Sequence, residues 1–188
     1  MHSESKDKIT RPKKRPPERA VSKDSRRGVA TIWVVGFGPA LLGLLVLVTE
    51  ISSLWLARIE LETAVEAGAL ACVKVWGGSA DTSPNRDTAA AAGVSFAQAN
   101  TVLGNTFTIP PSSATFGSYA IATRTFTAGD PIIPNDGTRA VILYATVDVP
   151  GLWNGFGGPR SIQARATALY DTSSTPAPRI VSVTTVNP

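Results

Sequence analysis

Few residues of this chain have the types and spacing that catalysis or metal binding requires. The only histidine, His2, lies in a charged N-terminal segment, which excludes a histidine triad or a histidine zinc site in the C-terminal part. The only cysteine, Cys72, excludes an intrachain disulfide framework and a cysteine-cluster metal site. We expect Cys72 to pack as a small apolar residue.

The acids beyond residue 80 leave one catalytic alternative open. They are scattered along the chain, mostly near turn signals: Asp81, Asp87, Asp130, Asp136, Asp148 and Asp171. Two carboxylates could still meet in space as a glycosidase pair, although carboxylates at strand ends more often cap turns. We therefore expect no catalytic, cofactor or metal site and no small-molecule substrate, with an anchored hydrolase as the alternative.

The positive charge of the chain is concentrated at its N-terminus. Residues 1–28 contain ten Lys or Arg and four acids, a net charge of +6, whereas the whole chain carries +4. The remaining 160 residues are therefore net −2. A basic tail of this kind binds either nucleic acid or anionic lipid. We expect it to be disordered, and the segment that follows it favours lipid over nucleic acid.

That segment is an uncharged apolar run from Val29 to Thr49. At about 1.5 Å per residue, a helix of this length spans a hydrocarbon layer of roughly 30 Å. The alternative, a buried helix of a soluble domain, would require a small domain to cover the helix on all sides. The run therefore predicts a transmembrane anchor. The residues expected to form it include Val29, Trp33, Gly36, Pro39, Leu45 and Val48.

Charges flank the run unequally, since Arg26 and Arg27 precede it and Glu50 ends it. The positive-inside rule therefore predicts a single-pass protein with a cytoplasmic N-terminus and an exported C-terminal part. The tail cations would then lie against anionic headgroups, where each contributes about 1 kcal/mol. The alternatives are a cleaved secretory signal and a twin-arginine signal. The first usually has a shorter apolar core, and the second expects bulky apolar residues soon after the arginine pair. We predict an uncleaved anchor.

The helical pattern continues beyond the apolar run. Apolar or small side chains recur at spacings of three and four between Ile51 and Val75, and Gly77-Gly78 is a helix stop. We therefore expect residues 50–76 to extend the helix, with one apolar face that either packs on the chain's own domain or serves assembly. The residues of this face are Ile51, Leu54, Leu61, Val65 and Cys72.

Residues 26–76 are similar to the N-terminal region of the Tad (tight adherence) pilus-assembly proteins of the TadE and TadG type. In those proteins a basic residue and a glycine precede the apolar run, and an acidic residue ends it. An aromatic residue, a leucine closely followed by an arginine, and an Ala-rich helix come next. The matching residues here are Arg27-Gly28, Glu50, Trp55, Leu56-Ala57-Arg58 and the segment 61–71. The resemblance implies an inner-membrane component of an adhesive pilus or secretion machine, with its C-terminal part in the periplasm.

One position departs from the processed members of the pilin group. Pilins and pseudopilins that are cleaved by prepilin peptidase carry a glutamate five residues after the cleaved glycine. Here the fifth residue after Gly28 is Trp33. The resemblance therefore implies an unprocessed, TadG-like protein in which Gly28 and Val29 stay joined.

The pattern of residues 77–171 predicts a small exported α+β domain. Residues 87–99 predict a short helix that Asn85 or Asp87 caps. The segments 115–128, 138–149 and 161–170 have the period of two that is typical of strands. The predicted fold class is α+β: one long N-terminal helix, transmembrane and then amphipathic, packed on a small antiparallel sheet. By resemblance this arrangement is pilin-like.

Two further segments carry predictions. In the glycine-rich loop 151–159, Trp153 and Phe156 are expected to fold back and close the core. The alternative is a loop that contacts the membrane or a partner. The last segment, 172–188, contains Pro176, Pro178 and Pro188 and predicts a flexible tail.

The sequence thus favours a non-enzymatic membrane protein. We expect a structural or assembly component of a Tad-type pilus or secretion system, acting through protein contacts. Its partners would be the lipid bilayer and other proteins of the machine, with no nucleic acid. The alternative is a signal-anchored extracytoplasmic binding or sensory module that is unrelated to pili.

Overall fold

The computed structural model describes residues 24–79, 82–129, 138–151, 158–171 and 177–186. Two α-helices come first, α1 (Asp24–Gly77) and α2 (Ser83–Gln98), followed by a short 3-10 helix (Pro111–Ser113). Five strands complete the chain: β1 (Ala114–Ala120), β2 (Thr125–Ala128), β3 (Arg139–Val149), β4 (Arg160–Asp171) and β5 (Ala177–Val186). The predicted α+β class, with one long N-terminal helix and an antiparallel sheet, is confirmed.

The chain divides into two compact units, residues 1–43 and residues 44–188. The described part of the first unit is helical throughout, from Asp24 to Gly43. Residues 24–28 are therefore helical, and the prediction that they belong to a disordered tail is wrong. Residues 1–23 of that tail lie outside the described residues.

In the second unit the five strands form one antiparallel sheet in the order β2-β1-β3-β4-β5. The longest pairing joins β3 to β4, from Arg139↔Tyr170 to Val149↔Arg160. Along β3 the side chains of Val141, Leu143 and Ala145 are buried, whereas Tyr144 is exposed. This is the alternation predicted for the strand, because successive side chains point to opposite faces of a sheet.

One core joins α1 and α2 to a single face of the sheet. Its largest fully buried side chains include Trp76, Leu61, Leu143, Val65, Val73 and Val141. Between them lie small residues, among them Ala57 and Ala69 of α1 and Ala164, Ala166 and Ala168 of β4. Small side chains on both surfaces let the helix lie close to the sheet, which brings the larger side chains into contact.

One strand-forming segment contains two strands, and one predicted helix start is wrong. The segment 115–128 is a hairpin in which β1 and β2 pair up to Ala120↔Thr125, with Arg124 at a φ of 55° in the turn. The predicted caps of α2, Asn85 and Asp87, lie inside the helix, which starts after Thr82 and has a proline in its first turn. Proline suits that position because its missing N–H would have no partner there anyway.

The prediction of a flexible C-terminal tail is wrong over Ala177–Val186, which form β5. This strand pairs with β4 from Asp171↔Ala177 to Gln163↔Val186, with a bulge between Thr167 and Ala168. The domain therefore extends beyond residue 171.

Candidate membrane anchor and helix packing face

The apolar run of α1 has no protein cover. None of its most apolar stretch is buried, and Val29, Leu45 and Val48 are more than half exposed. In the part of the chain that the structure describes, this one helix, near the N-terminus, is long and apolar enough to cross a membrane. A helix that is apolar on all sides needs a protein core or a lipid bilayer around it, and here no core surrounds it. Its length and composition therefore fit a membrane anchor.

The residues that interrupt the run do not break the helix. Pro39 lies inside α1, and a Cβ built on Gly36 would meet no atom within 4 Å. Trp33 and Phe37 stack one turn apart, with ring centroids 4.8 Å from each other. All six predicted anchor residues thus lie exposed on one helix.

At the end of the run, two hydroxyl groups form hydrogen bonds within the helix, and the first charged residue forms an ion pair. The Thr49 and Ser52 hydroxyls each donate to the carbonyl oxygen four residues earlier, at 2.8 Å. The Glu50 carboxylate lies 3.7 Å from the guanidinium of Arg160, the first residue of β4. The first charged residue after the apolar run is therefore paired with a residue of the sheet.

The predicted packing face divides into a buried and an exposed part. Leu61, Val65 and Cys72 are fully buried, Leu54 packs against the same core while partly exposed, and Ile51 is 50% exposed. The prediction missed five further residues of α1 that are fully buried: Ala57, Ala64, Ala69, Val73 and Trp76. They widen the face because α1 contacts α2 as well as the sheet. A stripe with spacings of three and four is narrower than the face that both contacts bury.

Gly68 of α1 and Gly93 of α2 let the two helices touch through their backbones. A Cβ built on Gly93 would lie 2.8 Å from the Gly68 carbonyl oxygen and 2.7 Å from the Cys72 Cβ, whereas ordinary contacts are 3.4–4 Å. A Cβ on Gly68 would lie 2.7 Å from the Gly93 carbonyl oxygen. Each glycine thus weakens its own helix, and together they permit the close approach.

Arg139 joins the end of α1 to the sheet. It donates from Nη1 to the carbonyl oxygens of Trp76, at 2.8 Å, and of Ser79, at 2.5 Å. Its guanidinium also lies 5.4 Å from the centroid of the Trp76 ring, which meets the Phe116 ring edge-on at 5.0 Å. The last carbonyls of a helix have no partner within the helix, and a cation suits the negative end of its dipole. The sequence had no signal for this cap, because the two partners are far apart in the chain.

Glu60 has a partner that the sequence did not predict. Its Oε2 accepts a hydrogen bond of 2.6 Å from the backbone N–H of Leu103. Leu103 has a φ of 51° in a short turn, in which Val102 and Asn105 exchange backbone hydrogen bonds of 2.9 and 3.0 Å. The carboxylate thus holds the turn that follows α2 against α1.

Cys72 is not placed for chemistry. Burial raises the pKa of its thiol from 9.0 to about 12, so the thiol stays protonated at neutral pH. A protonated thiol is a poor nucleophile and a poor metal ligand. Over the described ranges, the structure shows no group of three or more His, Cys, Asp or Glu that could hold a metal ion. Trp153 and Phe156 lie outside the described residues.

Comparison with known proteins bears on the N-terminal helix. Residues 28–73 match the Tad family model, described as Flp pilus-assembly TadE/G-like. The match confirms the resemblance found in the sequence, and it covers both the apolar run and most of the packed part of α1. No curated protein and no solved structure gives a significant match.

Proposed function

We propose that the protein is a membrane-anchored structural or assembly component of a Tad-type pilus or secretion system, and that it acts through protein contacts without catalysis. The observation that carries this proposal is the family match over residues 28–73. It includes the segment that is apolar enough to span a membrane and the segment that packs in the folded domain. The matched residues thus contain both the proposed anchor and the segment that attaches it to the domain.

The proposed topology follows from the charges around α1. The basic N-terminal residues lie in the cytoplasm, the run from Val29 to Thr49 crosses the inner membrane once, and the domain lies in the periplasm or outside the cell. The positive-inside rule supports this orientation, since ten Lys or Arg precede the run.

The proposed contacts with other proteins use the outer surface of the domain. Leu61, Val65 and Cys72 are fully buried in the chain's own core, so they support the fold and are not available to a partner. The exposed side of α1 and the outer face of the sheet remain for assembly.

Deletion of the gene in the organism that encodes the protein tests the pilus role. We expect loss of surface pili in electron micrographs and loss of adherence, both restored by the wild-type gene. A Leu41→Arg copy should restore neither, because a cation near the centre of a span costs about 2.5–3.5 kcal/mol. A Leu41→Phe copy is the matched control and should restore both. Normal piliation of the deletion strain would contradict the proposal.

A reporter fusion and mass spectrometry test the topology and the processing. Alkaline phosphatase fused after Pro188 should be active in a Gram-negative host, and the fusion point must follow β5 because β5 pairs with β4. Activity of a cytoplasm-dependent reporter there would reverse the orientation. Mass spectrometry of the extracted protein should detect a peptide that contains Gly28 joined to Val29. A mature N-terminus at Val29 would place the protein among processed pseudopilins.

A further inference from the structure

A groove lies between α1 and β4, directly after the end of the apolar run. Its volume is about 520 Å³. Its apolar lining residues are Ile51, Leu54, Trp55 and Ile162. Its two cationic lining residues are Arg58 and Arg160. On the basis of the proposed membrane anchoring, we infer that this groove binds the headgroup phosphate of phospholipids in the leaflet that faces the domain.

The part of the groove nearest the apolar run lies at the depth of the headgroups. Ile51 to Arg58 follow Thr49 by two to nine residues, which is about 3–14 Å along a helix. The headgroup layer on each side of a bilayer is roughly 5–7 Å thick. The backbone of Arg58 lies outside this layer, and its Nε is 3.5 Å from the carboxylate of Glu62. A guanidinium has five N–H donors, so Arg58 can donate to a phosphate oxygen while it keeps this pair.

Arg160 lies at the same level from the side of the sheet. It is 3.7 Å from the carboxylate of Glu50, the first residue after the apolar run, and its side chain is 57% exposed. That separation is longer than a hydrogen bond, and a guanidinium has five N–H donors. Pairing with Glu50 therefore leaves Arg160 able to donate to a phosphate oxygen.

The hydrogen-bond donors and the shape of the groove together favour a lipid. Two guanidinium groups line it, and each has a carboxylate beside it that is not part of the lining: Glu62 is 3.5 Å from Arg58, and Glu50 is 3.7 Å from Arg160. Guanidinium binds phosphate with two parallel hydrogen bonds. Trp55 is 62% exposed at this level, and tryptophan is enriched where hydrocarbon meets water. A free phosphate ion would use the cations but not the apolar side chains, whereas a phospholipid uses both.

Photochemical labelling of the full chain in nanodiscs tests the site. The probe is a phosphatidylglycerol analogue with a diazirine in its headgroup, and adducts are located by mass spectrometry of peptides. We expect adducts on the peptides that contain residues 51–58 and 160–162. The Arg58→Gln/Arg160→Gln double variant should lower these adducts by at least about ten-fold, since each cation near a charged surface contributes about five-fold. Adducts on the basic N-terminal tail serve as the internal reference and should not change.

Three controls make the outcome decisive. Arg165→Gln removes an exposed cation of β4 that does not line the groove, so it should leave the labelling at the parent level. Arg160→Lys should lower the groove adducts less than Arg160→Gln, because it keeps the charge and loses only the paired donors. A thermal melt equal to the parent's shows that a variant is folded, and the single variant Arg160→Gln replaces the double variant should the latter melt early.

Equal groove labelling in the parent and in Arg160→Gln would overturn the inference. Loss of groove labelling on addition of inorganic phosphate, but not of chloride at equal ionic strength, would also overturn it and indicate a site for free phosphate. Resistance of the protein to carbonate extraction checks the anchoring separately. Piliation does not enter the assay, so failure of the pilus role and failure of the lipid site are distinguishable.

Discussion

Replacement of Gly93 by alanine tests whether α1 and α2 touch through their backbones. The added methyl group would lie 2.7 Å from the Cys72 Cβ and 2.8 Å from the Gly68 carbonyl oxygen. Both atoms are fixed to the backbone of α1, so no flexible side chain can move aside. The two helices must separate, and the core between them must open.

The size of the effect follows from two opposing terms. Overpacking of a well-packed core costs about 1–3 kcal/mol, and rigid neighbours favour the upper part of that range. Alanine is better than glycine inside a helix by about 1 kcal/mol, which offsets part of the cost. We therefore expect a net loss of about 1–2 kcal/mol, which lowers the melting temperature by roughly 3–8 °C for a domain of this size.

Thermal unfolding of the full chain in detergent, followed by near-ultraviolet circular dichroism, measures this change. The matched control is Ala91→Gly at an exposed position of α2, which should cost about 1 kcal/mol through helix propensity alone. If Gly93→Ala instead raised the melting temperature by as much as Ala91→Gly lowers it, alanine would fit without strain. The close approach of the two helices would then be refuted.

Three further changes test the core, the helix cap and the buried thiol. Leu61→Asp places a charge in a fully buried site and should unfold the domain, seen as loss of protease resistance; a variant as resistant as the parent would mean that this side chain faces another molecule. Arg139→Gln should lower the free energy of unfolding in thermal melts by about 1–3 kcal/mol because the last carbonyls of α1 lose a charged donor, whereas Arg165→Gln should change it by less than about 0.5 kcal/mol. Cys72 should react with maleimide at pH 8 only after denaturation. Burial raises its pKa from 9.0 to about 12, so the unfolded chain loses the thiol proton first and the free energy of unfolding should fall as pH rises between these values. The fall should reach up to about 4 kcal/mol and should be absent in Cys72→Ala.

The long helix and the central strand could be predicted because one repeated signal determines each of them. Leu61, Val65 and Cys72 recur with the period of a helix, and the same three side chains are fully buried. In β3, Val141 is buried and Tyr144 exposed, as the period of two requires. In both elements a single surface is apolar, so local periodicity and tertiary burial agree.

β5 could not be predicted because proline, which occurs here as Pro178, is also common in flexible tails. Pro178 lies opposite Tyr170 at the start of the strand, and β5 is at the edge of the sheet. At an edge, one side of the strand needs no N–H donors, so proline is tolerated there. What decides is the position of the strand in the sheet, and the amino-acid composition of the segment does not indicate that position.

The contacts that fix α1 in the domain escaped prediction for a different reason. Gly68 and Gly93 each weaken a helix when considered alone, and only their contact explains both. In the sequence, Arg139 is only the polar first residue of a strand. Its hydrogen bond to the end of α1 exists only in the folded chain. Such pairs are long-range and have no periodicity, so they require the folded arrangement.

The burial pattern along α1 shows how one helix can suit two surroundings. Before Glu50 its apolar side chains are exposed on every side, and the hydroxyls at the end of the run donate to the helix's own carbonyls. From Ala57 onward, buried side chains occupy one broad face, and charged side chains such as Glu62 lie outside it. The first pattern is stable only when an apolar medium surrounds the helix, and the second only when a folded domain covers one face. The change occurs within about two turns after Glu50, where Arg160 of the sheet meets the helix. A hydrocarbon layer that ended near Glu50, with headgroups over the exposed Ile51, Trp55 and Leu56, would therefore suit both patterns of α1.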